Sequence, residues 1–325
     1  MLDITLDQIK SATRIVYAEM QPTPQYCWPL LCENLGTEVW VKHENQTPIG
    51  SFKLRGGLVY FSHLAESSET PKSVVSATKG NHGQSVGFAA RRYGIPATII
   101  VPYGNSIEKN NAMRSLGVKL IEHGDDFQSA REFAIKMAHE NSLKMIPSFD
   151  PLLVTGVATY SLELLKAVKD LDIVYVPIGL GSGICGMLAV RDALKLKTKV
   201  VGVVSAHANS YAKSFTSRRP VESPVNTKIA DGMDCRIPEQ SALEIIWKGV
   251  ERIVQVSDDE IAEAMRILHE CTHNVFEGSG AAAYAAAMQE SSRIKGCKVA
   301  VIASGGNIDR KVYAAVLNGE TFAAK

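Results

Sequence analysis

At 325 residues, 46% of them hydrophobic, the chain is long enough for two modest domains or one large one with a substantial core. Its 35 basic and 34 acidic residues leave a formal net charge of +1, which gives no electrostatic footprint for nucleic acid or an anionic membrane. No apolar run approaches the roughly 20 residues of a spanning helix, Met1 to Thr5 lacks the basic-then-apolar order of a leader, and the six cysteines, without C-x-x-C or zinc spacing, read as reduced thiols in a cytoplasmic protein.

In chain order, Thr5 is placed to cap a helix through Ile9, Ala12, Ile15 and Val16, which Gln21-Pro22-Thr23-Pro24 breaks. Val39 to Val41 reads as a short strand, Asn45 to Gly50 as a turn, and Ser51 as the cap of a helix beginning at Phe52. Strand 73–77, helix 81–93, strand 97–101, helix 106–116, strand 119–122, helix 127–141 and strand 144–146 follow. Helix 153–167, strand 173–177, helix 183–194 and strand 200–204 repeat the rhythm, whereas 207–247 has weak periodicity and reads as irregular. A strand at 253–256, helices at 258–270 and 278–290 and a strand at 299–302 complete it. This βαβα alternation predicts parallel sheets flanked by helices.

Three stretches carry chemistry. Lys53 falls in the first turn of its helix, where unpaired N–H groups and the dipole disfavour another cation, so its ammonium pKa is expected to be depressed, as suits a covalent amine or a proton carrier. Alone, such a lysine reads as a solvated surface residue, and only its company changes that reading. Gly179-Leu180-Gly181-Ser182-Gly183 lies between an apolar strand and an apolar helix, an arrangement that can cradle a phosphate on backbone N–H groups, with the Ser182 hydroxyl as a further donor. Gly181-x-Gly183-x-x-Gly186 also matches the dinucleotide fingerprint, but the next strand ends in Val203-Val204-Ser205-Ala206-His207 without the acid that holds a ribose, which favours a monophosphate. A tight turn for close packing stays open as the alternative. Thr78-Lys79-Gly80-Asn81-His82-Gly83-Gln84 leads from a strand into a helix and offers a second set of anion-facing donors, or simply a cap at Asn81.

Together, Ser51-Phe52-Lys53-Leu54-Arg55-Gly56, the Thr78 to Gln84 stretch, the glycine loop and Ser304-Gly305-Gly306-Asn307 resemble, in the same order, the serine/threonine dehydratase (threonine ammonia-lyase) family. These are pyridoxal phosphate (PLP) enzymes of fold type II. The resemblance implies a two-domain α/β fold of the tryptophan synthase β type, with a discontinuous large PLP-binding domain at 1–72 and 149–325 and a small domain at 73–148. It also implies Lys53 as covalent anchor and catalytic base and Phe52 beside the cofactor ring. Asn81 would lie at the ring oxygen, Gly179, Gly181, Ser182 and Gly183 at the phosphate, and Ser304 at the pyridine nitrogen. A serine there, unlike an aspartate, leaves a weaker electron sink, suited to elimination.

By the same resemblance Thr78, Lys79, Asn81 and His82 surround the substrate carboxylate, and Asp231 and Glu277 match segments close to the cofactor, although Glu277 could equally cap the helix after it. Lys79 departs from the small hydroxyl residue common at that place, which is the second base in serine racemases. It can act as a base, bind a second substrate carboxylate, or point to solvent. Val204-Ser205 stand where metal-binding relatives carry a glutamate, so no metal site is expected. The implied activity is conversion of a β-hydroxy amino acid (serine, threonine, phenylserine or 3-hydroxyaspartate) to a 2-oxo acid and ammonia. The alternative is an amino-acid racemase using Lys53 and Lys79. The chain ends soon after the Ser304 segment, so a catabolic or specialised lyase without an appended regulatory domain is expected, and the resemblance implies a homodimer.

Overall fold

The computed structural model describes residues 4–67, 70–320 and 322; Met1 to Asp3, part of the segment read for a leader, lie outside them. Helix α1 (Leu6–Tyr17) opens on a capping box between Thr5 and Gln8 and buries Ile9, Ala12 and Val16, one face of the expected pattern. Strand β1 (Gln25–Cys27), helix α2 (Pro29–Leu35) and strand β2 (Glu38–His43) follow. A short 3-10 turn (Glu44–Gln46) then leads to helix α3 (Lys53–Glu66). Strand β1 and α2, of only three and seven residues, are too short to show periodicity and were not expected from the sequence.

Next come β3 (Val74–Ala77), α4 (Asn81–Arg92), β4 (Ala97–Val101), α5 (Ile107–Ser115), β5 (Lys119–Glu122), α6 (Phe127–Glu140) and β6 (Lys144–Met145). These four strands pair only with one another, all parallel, in the order β5-β4-β3-β6. Val74, Ile99 and Val101 bury on one face and Val75, Ala77 and Ile100 on the other, as strands covered on both sides require.

The chain then returns through α7 (Pro151–Ala167), β7 (Ile173–Pro177), α8 (Ser182–Ala193) and β8 (Lys199–Ser205). Helices α9 (Ser210–Ser217) and α10 (Gln240–Gly249) occupy the interval expected to be irregular. Helix α9, of eight residues, buries Ser210, Tyr211, Ala212 and Ser214, only two of them part of the apolar core. Helix α10 buries only Ala242, Leu243 and Ile246. Strand β9 (Arg252–Val256), α11 (Asp258–Thr272), α12 (Gly278–Gln289), β10 (Lys298–Ala303) and α13 (Arg310–Leu317) complete the chain, and none of the described helices is long and apolar enough to cross a membrane.

The larger sheet runs β1-β2-β10-β7-β8-β9, with only β1 antiparallel. Its central strands are apolar throughout: Val174 and Val176 face the core under α7 and α8, while Ile173 and Tyr175 face the core under α11 and α12. The last strand, β10, inserts between β2 and β7, so the carboxyl ends of three strands far apart in sequence lie side by side. In open α/β sheets that edge is where ligands bind.

Candidate active site

The turn after β10 is stitched to the segment that carries Lys53. Phe52 N donates to Ser304 O at 3.1 Å, Gly306 N to Gly50 O at 2.9 Å, and Asn307 Nδ2 to Ile49 O at 2.8 Å. These bonds set the first residue of α3 beside the end of β10 and the glycine loop after β7. From the other side, Ser85 Oγ of α4 donates to Lys53 O at 2.6 Å. The result is a cavity of about 630 Å³ between the two sheets. The residues expected around cofactor and substrate line it: Phe52 and Lys53, Thr78 to His82, Gly179 to Gly183, Asp231, Glu277 and Ser304.

Lys53 Nζ lies 5.2 Å from the centroid of the Phe52 ring and has no hydrogen bond or ion pair among the described residues. Burial alone lowers its ammonium to about 8. The direction is the one expected from the sequence, but the cause is desolvation rather than the helix terminus. Helix α3 begins at Lys53 rather than Phe52, and Ser51 Oγ accepts from Lys53 N at 3.2 Å. Acylating the cofactor-free protein with a limiting amine reagent and mapping the products should show Lys53 reactivity rising through a midpoint of about 8. Exposed lysines should follow near ~10.4; Lys53 titrating with them would contradict the desolvated site.

Gly181 adopts φ +97°, a left-handed conformation that turns the chain into α8 and is open to glycine without strain. The N–H groups of Leu180, Gly181, Ser182 and Gly183 find no acceptor among the described residues, and Ser182, nearly fully buried, is the first residue of α8. That is the donor set of an anion cradle at a helix N-terminus. In the second turn, Thr78 Oγ1 accepts from Gly80 N at 3.0 Å and Gly83 N at 3.3 Å, while the N–H groups of Asn81 and His82, which line the cavity, have no partner among the described residues. The simple cap expected as one reading of Asn81 is absent. Gly80 holds the cap position, and the Asn81 side chain bridges outward, donating from Nδ2 to Glu277 Oε1 at 2.7 Å and accepting from Asn307 Nδ2 at 2.8 Å. His82 is buried, and desolvation with the nearby Lys53 charge lowers its imidazole to about 3, so it is neutral.

Lys79 does not simply point to solvent: its ammonium pairs with Asp234, a residue the sequence did not single out. Lys109 was also missed. It is 6% exposed, donates from Nζ to Asp231 Oδ2 at 2.6 Å and lies 3.6 Å from Glu277 Oε2. A charged residue one turn before Met113 on the buried stripe of α5 is the signal that could have found it. Glu277 is the backbone cap of α12 but makes no side-chain cap bond. Burial raises its carboxyl to about 7, with Lys109 opposing and Asp231 adding to the rise. Ser304, 4% exposed, donates from Oγ to Ser279 O at 3.2 Å. His82 Nε2, Glu277 Oε2 and Ser279 Oγ are buried without hydrogen-bond partners, and all three residues line this cavity. Buried polar atoms left unmatched at one place mark a missing polar ligand.

The family model for pyridoxal-phosphate dependent enzymes matches residues 16–305. The chain belongs to that family. Among its relatives, the L-threonine ammonia-lyase of Thermotoga maritima is 34% identical over 97% of this chain and 78% of the relative. The L-threo-3-hydroxyaspartate ammonia-lyase of Saccharomyces cerevisiae is 29% identical over 98% of both chains. Maize serine racemase superposes with a TM-score of 0.89 at 26% identity, covering 97% of each chain. The fold is therefore that of the fold type II branch of the PLP family, and the cofactor is pyridoxal phosphate. The cavity fits it: a cradle of free backbone donors for the phosphate, an unpaired amine of lowered pKa, and orphaned polar atoms around the space between.

Proposed function

We propose that the protein is an ammonia-lyase that converts a β-hydroxy amino acid to a 2-oxo acid and ammonia. The observation that carries this reading is Lys53, an uncompensated amine of lowered pKa held where the β10 turn meets the glycine loop. PLP supplies the electron sink that makes the Cα proton acidic and the β-hydroxyl expellable. Lys53 Nζ would hold the cofactor and, once free, would take the Cα proton at the same nitrogen, a role its depressed pKa suits at neutral pH. Gly179, Gly181, Ser182 and Gly183 would hold the phosphate, Phe52 would flank the ring, and the Ser304 hydroxyl would serve the ring nitrogen, as residues that line the same cavity. The N–H groups of Asn81 and His82, with Thr78 shaping the turn, would hold the substrate carboxylate, and Asn81, whose Nδ2 donates to Glu277, would lie beside the ring oxygen.

Racemisation by Lys53 and Lys79 is the competing reading, and it needs a second neutral base. The Lys79 ammonium is engaged in an ion pair with Asp234, a contact that a second catalytic base would have to give up, which favours the lyase. Residues 73–148 serve as a small domain, supported by four strands that pair only among themselves. We take the working form to be a cytoplasmic homodimer, in keeping with six unpaired cysteines and checked by sedimentation. The test is 2-oxo acid release by the PLP-loaded protein across stereoisomers of serine, threonine, phenylserine and 3-hydroxyaspartate. Turnover of one stereochemical series supports the lyase. Conversion to the mirror-image amino acid without 2-oxo acid would assign the racemase instead.

A further inference from the structure

Lys109 is a buried cation that the mechanism above does not use. It rises from α5, on the smaller sheet, and passes beneath the turn that holds the substrate carboxylate: a Cβ at Gly80 would lie 2.5 Å from Lys109 Cδ. Its ammonium reaches Asp231 at 2.6 Å and Glu277 at 3.6 Å, both on the opposite wall. Burial opposes its charge and the two carboxylates more than restore it, so Lys109 stays protonated.

Glu277 in turn accepts from Asn81 Nδ2 through Oε1, while Oε2 has no hydrogen bond among the described residues and lies 3.6 Å from Lys109 Nζ. The groups packed against this carboxylate are Lys109 from α5, Asp231 from the 3-10 turn (Asp231–Met233), Asn81 from α4 and the Gly305 backbone after β10. Only Lys109 is positive. We propose that Lys109 is a positioning residue that couples the carboxylate-binding turn to the charge carried by Glu277, and through it to the orientation of Asn81. The inference rests on the lyase reading for its catalytic consequence, but its electrostatic core belongs to the cofactor-free protein.

An ionised Glu277 accepts a charge-assisted bond from Asn81 and fixes its amide. A protonated Glu277 accepts more weakly and lets the amide turn. Activity should therefore fall as the pH drops through the titration of Glu277. Removing Lys109 takes away the charge that favours ionisation, so the titration moves to higher pH. Removing Asp231 takes away a like charge and frees Lys109 for Glu277, so it moves to lower pH. A packing role makes a different prediction, because water entering a loosened cluster would relieve desolvation and lower the titration in both variants.

The experiment is a 13C-carboxyl NMR titration of cofactor-free protein, with the Glu277 signal identified by its loss in Glu277→Gln, followed by pH profiles of kcat/KM for the PLP-loaded enzyme. Wild type should titrate at about 7. Lys109→Met should move the midpoint up by about one pH unit or more, a tenfold change in proton affinity, and Asp231→Asn should move it down. The acid limb of kcat/KM should follow in each case, so that Lys109→Met loses about tenfold near neutral pH and recovers as the pH is raised. Midpoints that stay put or move the same way, or a limb that ignores them, overturn the proposal. If Lys109→Met does not fold, Asp231→Asn decides alone, since an upward or absent shift contradicts the coupling. Should no substrate yield a 2-oxo acid, the lyase reading falls, and the carboxyl titration still settles what Lys109 does to Glu277.

Discussion

Lys53→Ala is expected to lower kcat/KM by about four orders of magnitude or more, because one substitution removes both the covalent anchor and the base. General-base loss alone is worth roughly 10²–10⁴-fold. The variant should also lose the absorbance band of covalently held PLP while keeping its thermal stability. Lys53 makes no ion pair among the described residues, and its desolvated ammonium contributes nothing favourable to the fold. Lys53→Arg should fail equally, since a guanidinium keeps its proton at neutral pH. A small primary amine added to Lys53→Ala should restore part of the proton transfer. A variant retaining more than about a tenth of wild-type kcat/KM would remove Lys53 from the base role.

Arg55→Met should have the largest effect on stability. Two residues beyond Lys53, the Arg55 guanidinium is fully buried: Nε and Nη2 donate to the two oxygens of Glu44 at 2.7 and 2.9 Å, and Nη1 and Nη2 to those of Glu163 at 2.6 and 3.0 Å. Thr159 Oγ1 and Thr23 Oγ1 take further bonds at 3.0 and 3.2 Å. Lys42, also fully buried, completes a set of two cations and two anions that joins α3, α7, β2 and the turn after it. Such a network adds little net stability over an apolar core, yet removing one member strands the others and costs about 3–5 kcal/mol. Burial pushes the Glu163 carboxyl up, and Arg55 with Lys42 overcomes this to hold it below its usual range.

In Arg55→Met the balance reverses and the folded protein prefers a protonated Glu163. The deficit should therefore be fully expressed near neutral pH and shrink as pH falls toward the ordinary glutamate value of ~4.3, where protonation removes the stranded charge. Urea unfolding of wild type and variant between those limits measures it. A deficit that is small, or that grows on acidification, would show that the network is not electrostatically coupled in this way.

The same residues separate what could be read in advance from what could not. The α/β class and the positions of the principal strands and helices were legible because each depends on local rules, whereas most residues that line the cavity were picked out by their resemblance to a known family. Apolar runs bounded by turn formers make buried strands, Thr5 and Gln8 make a capping box, and glycines between a strand and a helix make a cradle. Helices α9 and α10 escaped because, at eight and ten residues, each is too short for its few apolar positions to establish a period.

Which charges meet is a different kind of fact. The pairing of Lys79 with Asp234, of Lys109 with Asp231 and Glu277, and of Arg55 with Glu44 and Glu163 depends on segments brought together only when β10 inserts between β2 and β7 and the smaller sheet closes over them. The depressed Lys53 was anticipated for a local reason, its helix terminus, and observed for a tertiary one, its burial. The sequence by itself determined which groups are present and the elements that carry them, because propensity and periodicity are local. Tertiary structure alone decided their partners, their solvation and so their charge, because desolvation and Coulomb interaction depend on distance in space and not on separation along the chain.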